Sequence, residues 1–158
     1  MSHPILLVHS NPADTERLRL DREHRALDQM IRTSQLEGAI RILSAATVAD
    51  LISAIHDQSI RIVHFSGHGN STGLYFESSA DSDYGSELSA EQLRELLIAN
   101  APHIHALVLA SCYSADSINY LVAAAPYVIT VDGPADDGAA IAFTQSLYEA
   151  YLVFMRHT

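Results

Sequence analysis

Short, continuous apolar runs alternate along this chain with segments of helical periodicity. The runs are at residues 4–9, 39–46, 60–65, 104–111 and 127–131. Strands covered on both faces lose the polar–apolar alternation, so such runs are typical of a buried sheet. Parallel strands need crossover connections, and the intervening helices fill both faces. The sequence therefore predicts a single α/β domain, a three-layer sandwich with a mostly parallel central sheet and helices on both faces.

Several segments between the runs have the marks of helices. Residues 14–33 have apolar side chains at helical spacing, and Thr47 can cap a helix over the next turns. Ser89 and Gln92 have the spacing of a capping box, which predicts a helix that begins there. A last helix is predicted to begin near Asp136 or Asp137, and residues 70–87 are predicted to form a hairpin or extended excursion.

Another helix is predicted directly after the fourth run. Ser114 or Asp116 is the expected cap, and four apolar residues follow at helical spacing: Ile118, Leu121, Val122 and Ala125. The unpaired N–H groups at the start of such a helix would favour a thiolate or an oxyanion nearby. We therefore expect this helix to support chemistry at the end of the strand before it.

Charge and cysteine content limit the function classes. The formal net charge is −10, which argues against a general nucleic-acid or anionic-membrane surface. The one cysteine cannot form an internal disulfide, no secretory signal is visible, and no apolar stretch reaches the length of a membrane span. We expect a cytoplasmic protein that binds neither nucleic acid nor membranes.

A histidine and the lone cysteine follow two neighbouring strand-like runs. His68 lies in a Gly-rich segment after the third run, and Cys112 directly follows the fourth. Parallel strands end at one edge of a sheet, where α/β folds carry their reactive groups. His68 and Cys112 are thus candidates for a proton carrier and a thiol nucleophile.

The segments around these two residues resemble a known family. They are Val63-His-Phe-Ser-Gly-His-Gly69, Val108-Leu-Ala-Ser-Cys-Tyr-Ser114, and the late segments that begin at Tyr127 and Ala139. Together with the segment from Asn11 to Leu20 they resemble the bacterial CHAT domains, which are caspase-like cysteine peptidases related to caspases, metacaspases and separases. The resemblance covers nearly the whole chain and implies a His68–Cys112 catalytic dyad. It also implies an oxyanion hole made by the backbone N–H groups of Gly69 and Cys112.

Four residues near the pair are predicted to bind substrate: Ser66, Ala110, Ser111 and Asp132. Relatives carry Gln or an acid two positions before the cysteine, where this chain has Ala110, so a preference for Arg or Lys is not supported by that position. Asp132 is a candidate for acidity in the pocket, although an ordinary turn aspartate before Gly133 is an equal alternative. His64 is a candidate for orienting His68, but a strand histidine more often has a structural role.

No metal or other cofactor is expected. The nine histidines lack the spacing of zinc motifs, and Asp81 and Asp83 lack the spacing of an EF-hand. The resemblance implies a protein or peptide substrate, a sensor or activating domain or subunit, and a role in bacterial defence or regulated death. The predicted function is a cysteine endopeptidase; the alternative is a non-catalytic caspase-like scaffold that docks partners.

Overall fold

A computed structural model describes residues 4–12, 20–34, 38–78, 85–134 and 136–156 of the chain. The described strands are β1 (Ile5–Ser10), β2 (Ile40–Leu43), β3 (Ile62–Gly67), β4 (Gly73–Phe76), β5 (Ser86–Ser89), β6 (Ala106–Ala110) and β7 (Tyr127–Thr130). The described helices are α1 (Leu20–Ser34), α2 (Val48–Ile55), α3 (Ala90–Asn100), α4 (Ile118–Leu121) and α5 (Asp137–Arg156).

Five of these strands form one parallel sheet in the order β2-β1-β3-β6-β7. The other two, β4 and β5, pair antiparallel with each other, as expected for the segment between β3 and α3. Every strand of the main sheet matches one of the five apolar runs, with small differences at the ends. The predicted fold class is confirmed: a central parallel sheet flanked by helices, compatible with a caspase-like sandwich.

The two faces of the sheet have separate cores because side chains alternate along each strand. Leu6 and Val8 of β1 belong to the larger core, with residues of β4, β5, α2, α3 and α4. Ile5 and Leu7 of the same strand pack on the opposite face, with Leu27 of α1 and Tyr148 of α5. The helices therefore divide into two layers, α2–α4 on one face and α1 with α5 on the other.

Two helix starts follow the predicted capping. The Thr47 side chain accepts from the backbone N–H of Asp50, whose carboxylate accepts from the N–H of Thr47 in return. Ser89 and Gln92 form the same reciprocal pair at the start of α3. Each pair satisfies N–H groups that the first turn of a helix leaves without partners, which fixes where the helix begins.

The helix predicted after Cys112 is present but short, and neither of its predicted side-chain caps forms. The chain forms a 3₁₀ turn over Ser114–Ser117 and then the single α-helical turn α4. The Ser114 hydroxyl does not cap this segment, because it donates to the Leu109 carbonyl and accepts from the Val131 N–H. One helical turn carries little of the dipole that a long helix has, so the expected helix support for a thiolate is small.

Candidate functional site

His68 and Cys112 occupy equivalent positions at one edge of the sheet. The β3–β6 ladder runs in constant register from Ile62 opposite Ala106 to Ser66 opposite Ala110. His68 and Cys112 each lie two residues beyond that last pair, and both residues are half-buried. Cys112 is not part of a disulfide. The ladder therefore brings the imidazole-bearing and thiol-bearing segments side by side.

The segment that carries His68 packs directly against the residue before Cys112. A Cβ atom added at Gly69 would lie 2.8 Å from Ser111 Oγ and 3.0 Å from the Gly73 carbonyl oxygen. The His68 carbonyl accepts from the Tyr75 N–H at 2.9 Å, which ties the segment to β4. A glycine at position 69 thus allows close approach between the two loops, a place where a side chain would force them apart.

The turn after Cys112 is fixed to the segment that follows β7. Tyr113 has a left-handed backbone with φ of 58°, a strained conformation for a residue with a side chain. Its N–H donates to the Gly133 carbonyl at 2.8 Å, and the Ala115 N–H donates to the Val131 carbonyl at 3.0 Å. The chain therefore turns sharply at the cysteine and is held there by hydrogen bonds to the neighbouring segment.

The four predicted substrate-binding residues differ in their exposure to solvent and in their hydrogen-bond partners. Ser66 and Ser111 are buried, Ala110 is half-buried, and Asp132 is exposed in the segment after β7. The Ser66 hydroxyl contacts Glu23 and His64 inside the protein, and its backbone lies in the sheet between His9 of β1 and Ala110 of β6. Asp132 precedes Gly133, the residue that binds the Tyr113 N–H, so this aspartate lies in the segment joined to the cysteine turn.

A buried polar cluster lies under the end of β3, and its central residue, Glu23, was missed by the sequence analysis. Glu23 Oε1 accepts from Ser66 Oγ at 3.0 Å and from Thr144 Oγ1 at 2.8 Å. Glu23 Oε2 lies 2.9 Å from His9 Nε2, close enough for an ion pair although not in regular hydrogen-bond geometry. One carboxylate of α1 thereby contacts β1, β3 and α5.

His64 extends this cluster across the same face. Its Nδ1 lies 2.7 Å from the Tyr148 hydroxyl, and its Nε2 lies 3.2 Å from Ser66 Oγ. The imidazole is fully buried. His64 therefore contacts α5 and its own strand, which agrees with the structural role that the sequence favoured.

Burial and charge act in opposite directions on these groups. Burial raises the pKa of Glu23, but interactions with His9, His64 and Thr144 together lower it by more. The pKa of Glu23 therefore lies below its ordinary value. Burial lowers the pKa of His64 to about 4, despite the opposing effect of the Glu23 charge. Burial also raises the pKa of Tyr148. Near neutral pH the cluster holds an ionised carboxylate beside a neutral His64.

A signal for Glu23 was present in the sequence. Leu20, Glu23 and Leu27 are spaced three and four apart, which places an acid on the apolar stripe of α1. Acids are rarely buried without partners, so that position predicts a polar group facing it. Which groups these are depends on how α1 packs on the sheet, and the sequence does not specify that.

Neither a metal-ligand cluster nor a membrane-spanning helix is present in the described ranges of the chain. Within them, no three histidine, cysteine, aspartate or glutamate side chains come together as metal ligands. None of the helices there has the length and apolar character that crossing a bilayer requires. Asp81 and Asp83, considered above as calcium ligands, lie outside the described residues.

The fold and the paired histidine and cysteine segments define an α/β domain with a candidate thiol site at the carboxyl edge of its sheet. Comparison with protein families gives a match to the CHAT domain over residues 2–156, nearly the whole chain. The chain belongs to the CHAT domain family, a caspase-like, protease-type domain. A search of curated proteins found no significant match.

Proposed function

We propose that this protein is a cysteine endopeptidase that uses His68 and Cys112 as its catalytic dyad. The observation that carries the proposal is the β3–β6 register, which places both residues at the same step beyond two adjacent strands. Membership of a caspase-like family supports the same assignment. A thiol beside an imidazole at the edge of a parallel sheet has the components of covalent acyl transfer.

The reaction has two stages. His68 removes the Cys112 proton, and the thiolate sulfur bonds to the scissile carbonyl carbon while the backbone N–H groups of Gly69 and Cys112 stabilise the oxyanion. The C–N bond then breaks, and the proton passes from His68 to the departing amine. Water, deprotonated by His68, attacks the acyl-enzyme, releases the carboxylic acid and restores the thiol.

The site depends on short loops, which gives a physical reason for control by a partner. The Cys112 turn is held by hydrogen bonds to the segment after β7, and substrate loops of such folds can require assembly to become ordered. We propose activation by a sensor domain or subunit and an effector role in bacterial defence or regulated death. A reactive thiol favours the reducing cytoplasm as its compartment.

A peptide electrophile tests the dyad directly. The purified full chain, with any copurifying partner, is treated with a peptidyl acyloxymethyl ketone, and modification of Cys112 is followed by intact mass. We expect rapid labelling that His68→Ala abolishes and that His105→Ala, at an exposed position, leaves unchanged. Labelling no faster than that of a simple thiol, or equal in the His68→Ala variant, would favour a non-catalytic scaffold.

A cellular experiment tests endoproteolysis. New protein N-termini are compared between cells with the wild-type protein and cells with Cys112→Ala, under conditions that activate the system. We expect a set of cut sites that depend on Cys112. Identical N-termini in the two cell lines would contradict the proposed activity.

A further inference from the structure

A small cavity lies between the carboxyl ends of β6 and β7 and the helix α5. Its volume is about 120 Å³. Its walls come from β6, from β7 and the residue that follows, and from α5: Val108, Leu109, Ala110, Ile129, Thr130, Val131 and Phe143. One of these lining residues, Ala110, precedes Cys112 by two positions in the sequence.

The lining has no ionisable side chain. Thr130 is its one polar residue, and the others are aliphatic or aromatic. Phe143 and Ile129 remain 42% and 37% exposed, so the cavity has access to solvent. Transfer of a charged group into such a lining is unfavourable, whereas transfer of an apolar side chain is favourable in proportion to the area removed from water.

The size of the cavity restricts which apolar side chains fit. A dry protein cavity of about 150 Å³ accommodates a benzene ring, so 120 Å³ suits an aliphatic side chain of the size of Val or Leu. The exposed carboxylate of Asp132 follows directly after the lining residue Val131. Its charge opposes entry of an acidic side chain at that end.

The distance from the nucleophile determines which substrate residue can reach the cavity. Ala110 and Cys112 are two residues apart, so their Cα atoms are separated by at most about 7 Å. In an acyl-enzyme the sulfur is bonded to the carbonyl carbon of one residue, and that residue's side chain branches from the next atom. Only this residue or an immediate neighbour can place its side chain against Ala110.

We infer that this cavity is the pocket for the substrate residue whose carbonyl Cys112 attacks, and that this residue is aliphatic, of the size of Val or Leu. The inference rests on the proposed function and adds a substrate class to it. It also gives Phe143, a residue of α5, the role of limiting the size of the side chain that is accepted.

A panel of peptidyl acyloxymethyl ketones that differ in the last residue tests this inference. The last residue is Val, Leu, Trp, Lys or Asp, and the second-order rate of Cys112 modification is measured for each. We expect Val and Leu to react at least about tenfold faster than the other three, because a single extra or missing methylene group in a hydrophobic pocket already changes the rate by about 10–200-fold and a charged side chain also loses its hydration. Preferential reaction with Lys or Asp would overturn the inference and leave the proposed peptidase standing.

Phe143→Ala tests the role of the ring. The wider cavity is expected to raise the Trp rate relative to the Val rate by about tenfold or more. Val153→Ala is the matched control, since Val153 lies on the same helix, is 50% exposed, and is not among the lining residues. An unchanged Trp-to-Val ratio in folded Phe143→Ala would show that the cavity is not the pocket.

The same panel separates the two proposals. If none of the probes modifies Cys112 faster than a simple thiol, the proposed function fails and the inference fails with it. If probes react rapidly and depend on His68 but show no preference for aliphatic residues, the inference alone is wrong.

Discussion

The Ser66 hydroxyl donates to Glu23 Oε1 at 3.0 Å, and this bond joins the end of β3 to α1 two residues before His68. Glu23 also contacts His9 and Thr144, so one carboxylate connects the strand that leads to the site with three other elements. Because Glu23 is only 3% exposed, water does not replace these contacts when one is removed. The geometry beneath the candidate dyad therefore depends on a buried anion.

Replacement of Glu23 is expected to destabilise the fold strongly. Glu23→Ala removes the carboxylate oxygen that accepts from both the Ser66 and the Thr144 hydroxyl, and each buried polar group that loses its partner costs about 1–3 kcal/mol. The free energy of unfolding is measured by urea denaturation. Glu95→Ala is the control, since its side chain is 70% exposed and its loss should change stability by less than about 0.5 kcal/mol. Equal effects of the two substitutions would contradict the structural role of Glu23.

The free energy of unfolding is expected to decrease as the pH is lowered below 6.5, because of His64. The folded state lowers the His64 pKa from 6.5 to about 4, so the folded protein binds this proton less readily than the unfolded chain. The contribution of neutral His64 to the free energy of unfolding is fully present above pH 6.5. It is lost as the pH falls toward 4, and the total loss is roughly 3 kcal/mol. Urea denaturation at several pH values measures it.

A matched pair of variants isolates the His64 contribution. His64→Gln should reduce the slope between pH 6.5 and 4, whereas His105→Gln, at an exposed position, should leave it as in the wild type. A slope that is the same in all three proteins would assign the pH dependence to other groups. Glu23 acts in the same direction but at lower pH, since its lowered pKa adds stability that is lost as the pH falls through its folded value.

Ser114 is expected to fix the cysteine turn. Its buried hydroxyl donates to the Leu109 carbonyl at 2.9 Å and accepts from the Val131 N–H at 2.8 Å, so Ser114→Ala removes a hydrogen-bond partner from each of these two backbone groups. Each buried unpaired group costs about 1–3 kcal/mol. We expect lower stability together with slower labelling of Cys112 by a peptide electrophile, measured on the same protein.

Ser86→Ala is the control for Ser114→Ala. Ser86 is exposed on β5, so its replacement should leave stability and labelling unchanged. If Ser114→Ala labels at the wild-type rate, the two hydrogen bonds do not position Cys112.

Gly69→Ala is expected to separate the two loops of the site. The added methyl would lie 2.8 Å from Ser111 Oγ and 3.0 Å from backbone oxygen of Gly73, so the His68 segment must move. Overpacking of this kind costs about 1–3 kcal/mol. The rate of Cys112 labelling should fall by more than the loss of folded protein alone explains, because the movement displaces His68 from the cysteine.

Gly138→Ala is the control for Gly69→Ala, because it adds the same methyl group at a position that has room for it. Gly138 is exposed on α5 and meets only the flexible Asp136 side chain, at 3.2 Å. Alanine favours a helix over glycine, so this substitution should preserve or increase stability and leave labelling unchanged. Wild-type labelling in Gly69→Ala would show that the close approach at Gly69 does not matter for the pair.

The sequence was informative where one local signal determines the structure. The apolar runs at β1, β3 and β6 predict buried parallel strands because few other elements are apolar on both faces. The capping pairs at Thr47 and Ser89 predict helix starts because the interaction lies within four residues. The position of His68 and Cys112 at one edge then follows from strand direction.

The parts that the sequence did not predict depend on contacts between distant segments. Leu121 and Ala125 are buried as the helical spacing implied, but hydrogen bonds to β6 and to the segment after β7 hold Ser114, and the helical segment there is a 3₁₀ turn with one α-helical turn. Partners of Glu23 come from positions 43 and 121 residues away. No periodicity or motif encodes such pairings.

Hydrogen bonds between β3 and β6, and not the length of chain between them, determine how close His68 lies to Cys112. The connection between these two strands includes the β4–β5 pair and α3, and the β3–β6 ladder keeps one register along its length. Residues added at the tip of that connection would leave both groups where they are. Evolution is thereby free to enlarge or remodel this segment, for instance to meet different targets, while the reactive pair stays intact.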